Sequence, residues 1–237
     1  MTLKRIFFAI LLVFVCISLQ NVSAQSTVVS VTGSVYNAVT HEPVSIFLIV
    51  MDQNGRRVTA ARSNAAEDGY YFITSLKPGN KYTINIGQKG YFKEQFELDI
   101  PNSDRYEEIS KDFLIKPLEK DVKIPFQVSP YELNKSKLRF GIEHTLDGMA
   151  SALKNNPEVY FEIKSFPDNA VDKATNQELT KERAESLMEY FVEKGIDKSR
   201  ITISGSATVD PQNPPPVEKR AKGKRYIGTT YIVVKNF

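Results

Sequence analysis

Residues 159–206 read VYFEIKSFPDNAVDKATNQELTKERAESLMEYFVEKGIDKSRITISGS, and this stretch decides the fold of the second half of the chain. Val159, Phe161 and Ile163 alternate with polar residues, the period of a half-buried strand. A helix is expected from about Asn176 to Lys194, with Leu179, Ala184, Leu187 and Phe191 on one side and Gly195 as its C-terminal stop. Ile201 to Ser206 is apolar and β-branched enough to return to strand. Asp168 follows the first strand and Arg183 lies early in the helix. A strand end and the start of the next helix lie close together, so this carboxylate and guanidinium are expected to face one pocket. Such a pair is complementary to a zwitterion, Asp168 taking an ammonium and Arg183 holding a carboxylate by paired hydrogen bonds. The plainer reading is a surface ion pair worth about 0 to 1 kcal/mol.

Working outward, Val122, Ile124, Phe126 and Val128 alternate as a strand, and Ile142, Leu146, Met149 and Leu153 recur at helical spacing until Asn155, Asn156 and Pro157 stop the helix. Tyr226 to Val234 adds a last strand. The order strand, helix, strand, helix, strand, strand predicts an α+β domain over 119–237, with helices on one face of a mixed sheet. Residues 104–121 are charge-rich and weakly patterned, so the boundary is placed near Leu118.

The first half is read as an all-β sandwich over 25–118. Val29, Val31 and Val35 start it, Ser45 to Met51 is a nearly continuous apolar run, and Tyr70 to Ile73 follows the turn residues Glu67, Asp68 and Gly69. Another turn, Lys77 to Asn80, precedes Tyr82, Ile84 and Ile86, and Gly90 and Tyr91 lead into Phe96, Leu98 and Ile100. Tyr70, Tyr71 and Tyr82 are either a carbohydrate-binding aromatic face or residues alternating between core and rim, as strand aromatics ordinarily do.

At the N-terminus, Lys4 and Arg5 precede an apolar run from Ile6 to Ile17 and then Val22, Ser23 and Ala24. This is the pattern of a signal peptide over 1–24, removed before Gln25, and the run is shorter than the roughly 20 residues a spanning helix needs. The lone cysteine, Cys16, lies inside that run after Val15, so neither lipid attachment nor a thiol in the mature chain is expected. Loss of Lys4 and Arg5 brings the formal charge of +3 close to neutral, which gives no argument for a nucleic-acid partner. The two histidines, His41 and His144, have no metal-ligand spacing, and no nucleophile elbow or phosphate-cradling loop is present, so neither an enzyme, a cofactor nor a metal is expected.

The first half resembles the carboxypeptidase regulatory-like family with a transthyretin-like sandwich. The landmarks are Gly33 to Val35 with Thr40 to Val44, then Asp68 to Phe72, then Leu76 to Tyr82, and Lys89 to Tyr91. That resemblance implies a spacer or docking module without catalytic residues. The second half resembles the C-terminal peptidoglycan-binding domain of the outer-membrane protein A family, through Leu133, Lys135, Ser136, Leu138, Leu153 to Pro157, and above all Asp168, Asn169, Asn176, Leu179, Thr180, Arg183 and Ala184, followed by Gly195, Ile196, Ser199 to Ile201 and Gly205. The resemblance implies that Asp168 and Arg183 hold the amino-acid centre of diaminopimelate, while Asn176 and Thr180 position the loop and cap the helix. Departures fall at Ser165, Phe166 and Pro167, at Val171, and at Gly228, Thr229 and Thr230, where the family's final basic pair is missing.

Together these features predict a non-enzymatic periplasmic protein that binds peptidoglycan and links it to an outer-membrane or surface partner, with no spanning segment after maturation. The alternative is a protein-interaction subunit of an envelope complex without wall affinity. Residues 211–217, rich in proline, and 219–225, rich in cations, are read as a solvated loop or as a contact to anionic glycan or lipid head groups.

Overall fold

The computed structural model describes residues 28–170, 172–216 and 225–237. The expected signal segment 1–24, Val171 and most of the proline- and cation-rich loop lie outside the described residues. What is described is a β-rich α+β protein with twelve strands and two helices.

The first eight strands are β1 (Val29–Asn37), β2 (Phe47–Met51), β3 (Arg57–Arg62), β4 (Tyr70–Leu76), β5 (Lys81–Ile86), β6 (Glu94–Asp99), β7 (Glu107–Ser110) and β8 (Phe113–Ile115). They form two sheets, one ordered β4-β1-β7 with β8 also on β1, the other β3-β2-β5-β6. Val29, Val31, Val35, Leu48, Val50, Tyr71, Ile73, Ile84 and Phe113 share one buried core. Tyr71 and Tyr82 are 1% and 5% exposed and Tyr70 is 44% exposed, so these tyrosines divide between core and rim and present no common aromatic face.

The charge-rich stretch after Asp104 contains two strands that pattern did not reveal. β7 pairs in parallel with Val29 to Thr32, and β8 with Val35 to Asn37. Both are stabilised by a partner more than seventy residues earlier in sequence. β3 was equally hidden, because RVTAAR lacks a clean apolar alternation.

The remaining elements are β9 (Lys123–Pro125), α1 (Glu143–Lys154), β10 (Tyr160–Ser165), α2 (Lys173–Glu193), β11 (Ile201–Gly205) and β12 (Thr230–Asn236). The sheet runs β11-β10-β12-β9, parallel between β10 and β11 and antiparallel elsewhere. The helices bury Leu146, Leu153, Leu187 and Phe191 against Phe161, Ile163, Ile232 and Val234. Tyr231 and Val233 point to the opposite side of β12 and pack with Phe166 instead. The helix α2 starts earlier than its apolar spacing suggests. Asp172 caps it, accepting from the N–H groups of Ala174 and Thr175 at 3.1 and 3.3 Å, and Gly195 at φ 87° follows its end.

Phe92 crosses between the two cores. It precedes β6, yet its side chain is fully buried among the residues under α1 and α2. Beside it the Asn156 amide accepts from Lys93 N–H at 3.1 Å and donates to the Lys93 carbonyl at 3.1 Å. A main-chain position is thus read on both sides by one side chain, as a neighbouring strand would read it.

Candidate functional site

The site begins where β10 stops. After Ser165 the chain turns Phe166 onto Tyr231, edge to face with centroids 6.0 Å apart, and Pro167 and Asp168 follow, both buried. From the other side α2 presents a continuous inner stripe of Asn176, Thr180, Arg183, Ala184, Leu187 and Phe191. The spacing is that of an amphipathic helix, but its first half is polar where a core helix would be apolar.

Asp168 and Arg183 meet in a bidentate ion pair, Nη1 to Oδ1 and Nη2 to Oδ2 at 2.8 Å each, with both side chains fully buried. A surface pair worth almost nothing is therefore not what these residues make. Oδ1 also accepts from Gly228 N–H and Oδ2 from Asn134 N–H, both at 2.7 Å. The four acceptor positions of the carboxylate are filled. Arg183 in turn gives Nε–H to the Lys135 carbonyl at 2.9 Å, a second Nη2–H to the Glu132 carbonyl at 3.2 Å, and a second Nη1–H to the Phe166 carbonyl at 3.4 Å. All five guanidinium donors are used.

Three residues that pattern did not single out complete this node. Tyr131 lies with its ring 5.1 Å from the guanidinium carbon and donates its hydroxyl to the Arg183 carbonyl. Burial pushes the Tyr131 phenol well above its usual range, with the Arg183 charge opposing that shift. Asn134 turns its N–H toward Asp168 by adopting φ 55°. Gly228, known beforehand only as a departure from a family pattern, passes so close that a Cβ there would lie 2.0 Å from the Phe166 carbonyl oxygen. These contacts join segments about 35 to 60 positions apart, and no local period encodes them.

The other two expected site residues, Asn176 and Thr180, are also buried. Asn176 donates to the Asn169 carbonyl at 2.8 Å and so does hold the loop after Asp168. Thr180 donates to the carbonyls of Asn176 and Ser206 at 2.8 and 3.0 Å. Neither caps the helix, because α2 begins at Lys173 and its free N–H groups lie one turn earlier, on Asp172. Thr230, where the family pattern has a cation, shares a hydrogen bond of 3.0 Å with Ser165. Among the described residues no cluster of three or more His, Cys, Asp or Glu could hold a metal, and no helix is long and apolar enough to cross a membrane.

The OmpA family model matches residues 131–225, a range that contains the whole node except Gly228. Probable lipoprotein YiaD of Escherichia coli K12 is 28% identical over 94 residues, which are 40% of this chain and 42% of that protein. Outer membrane protein A of Shimwellia blattae is 31% identical over 83 residues, 34% of either chain. The chain thus spans less than half the length of these curated relatives. Among solved structures, the peptidoglycan-associated lipoprotein from Burkholderia pseudomallei aligns at a TM-score of 0.37 and 14% identity over 44% of this chain and 86% of that one. Residues 131–225, with the Asp168–Arg183 pair at their centre, are an OmpA family domain.

Proposed function

We propose that the chain is a non-enzymatic, periplasmic cell-envelope protein that associates with peptidoglycan through 119–237. In this reading the two sheets of 25–118 form a separate sandwich that links it to an outer-membrane or surface partner. Asp168 and Arg183 hold the zwitterionic centre of diaminopimelate, with Asn176 and Thr180 fixing the loop around them.

One observation carries this reading. The segment 132–135 covers the pair with two carbonyls on Arg183 and one N–H on Asp168. Lifting that segment frees two guanidinium donors and one carboxylate acceptor position. An amino-acid zwitterion offers the same set, a carboxylate for the two donors and an ammonium for the acceptor. Ligand entry would therefore exchange bonds one for one, without leaving a buried charge unpaired, which would cost several kcal/mol.

A second reading rests on the same saturation. A pair with every donor and acceptor already used is also what a purely structural node looks like, in a subunit that makes only protein contacts. Co-sedimentation with purified diaminopimelate-type sacculi separates the two. Wild type is expected to pellet, and Asp168→Asn, which keeps the shape and removes the charge, to stay soluble while retaining its circular dichroism. Wild type remaining in the supernatant would end the wall reading and favour the structural node.

A further inference from the structure

We propose that a second site, a cationic cleft on the side of the β11-β10-β12-β9 sheet away from the helices, binds an anionic saccharide chain. The ligand inferred is a carboxylate-bearing glycopeptide strand of the wall, and in that respect the proposal rests on the reading above.

The cleft has a volume of about 1300 Å³, larger than a single ion or sugar ring needs. Three segments far apart in sequence each bring a cation to its lining, Lys123 from β9, Arg139 from the stretch before α1, and Arg225 from the approach to β12, and His41 from the loop after β1 adds an imidazole. The acid in the lining is Asp121, whose carboxylate is 3.6 Å from Lys235 Nζ and so already faces a cation. Among the described residues His41, Arg139 and Arg225 form no salt bridge. Charge complementarity therefore calls for an anion, and the separation of the cations over several segments calls for an extended one.

The wall of the cleft is built rather than incidental. Asp210, fully buried, takes the Tyr231 hydroxyl and the Gln212 N–H, the latter at 3.0 Å. Asn213 donates to the Tyr231 hydroxyl at 2.6 Å, and Lys123 donates to Gln212 Oε1 at 2.9 Å while lying 5.8 Å from the centre of the Tyr231 ring. These bonds fix the polar wall against the sheet. Ser129, Gln127 and Thr229 add hydroxyl and amide groups along the same lining, the partners that sugar hydroxyls and acetamido groups use. Cations interleaved with neutral donors and acceptors suit a saccharide that carries carboxylates, and neither a bare ion nor an apolar peptide uses both sets.

The test measures binding of soluble muropeptides released from diaminopimelate-type sacculi, with dextran sulfate as a polyanion independent of the wall and chitotetraose as a neutral sugar. Wild type is expected to bind the two anionic probes more weakly as salt rises, because exposed cations are screened, and not to bind chitotetraose. Arg139→Ala/Arg225→Ala is expected to lose about tenfold or more on both anionic probes. The control Lys81→Ala/Lys89→Ala, on the β5 side of the other sheet, should match wild type. Unchanged affinity in the arginine double variant, or equal binding of chitotetraose, overturns the cleft. Loss of muropeptides by Asp168→Asn but not by the double variant overturns the cleft and keeps the wall reading. Wild type that ignores sacculi and muropeptides but holds dextran sulfate through Arg139 and Arg225 removes the wall reading and keeps the cleft as a site for another anionic saccharide.

Discussion

At the scale of single residues, the ion pair of Asp168 and Arg183 governs both stability and the candidate chemistry. Replacing Asp168 by Ala leaves a guanidinium fully buried without its counter-ion and two backbone N–H groups, of Asn134 and Gly228, without their partner. The expected cost is about 3–5 kcal/mol, read as a lower urea midpoint at unchanged slope. Changing both residues together, Asp168→Leu with Arg183→Met, removes the unpaired charge and should recover much of that loss. Recovery of stability without recovery of sacculus binding would separate the two roles of the pair. The identities of both residues were legible in the sequence, and so was their proximity, since a strand end and the next helix start are neighbours in any such layer. Their complete enclosure was not legible, because Tyr131, Asn134 and Gly228 reach the pair from distant segments.

At the scale of elements, the helix α2 depends on how closely β11 approaches it. The end of β11 runs against the second turn, where a Cβ on Gly205 would lie 2.6 Å from both Lys181 N and Thr180 Oγ1. Gly205→Ala is therefore expected to push strand and helix apart and to cost about 1–3 kcal/mol by thermal or urea unfolding, as overpacking does. An unchanged melting temperature would mean that β11 gives way without loss. The apolar spacing of Leu179, Ala184, Leu187 and Phe191 located the helix. It missed the start by about three residues, because the first turn is fixed by the Asp172 cap and by Asn176, which are polar. Leu179 was also taken as part of the inner side, whereas the buried stripe runs through Thr180 and Arg183. Polar residues on the buried face hide a helix from any reading based on hydrophobic period.

At the scale of the whole molecule, Phe92 ties the eight-strand half to the core under the helices, with Asn156 bonded on both sides of Lys93. Phe92→Ala should cost about 3–5 kcal/mol through the cavity left behind. Wild type is expected to melt in a single calorimetric transition, and Phe92→Ala in two, as the halves lose their joint. Two transitions already in wild type would show that the contact does not couple them. No pattern announces Phe92, since an apolar residue after Gly90 and Tyr91 reads as the start of the next strand.

The sequence by itself determined the β-rich first half, the two helices of the second, the Asp–Arg pair and the family of residues 131–225. Each of these depends on local period, turn chemistry or a contiguous motif. Only the tertiary structure decided that the pair is closed on itself, that β7 and β8 join β1, that Phe92 sits in the other core, and that His41, Lys123, Arg139 and Arg225 share one cleft. Each of these is a contact between segments far apart along the chain, set by packing and by the pairing of buried polar groups, which spacing along one segment does not record.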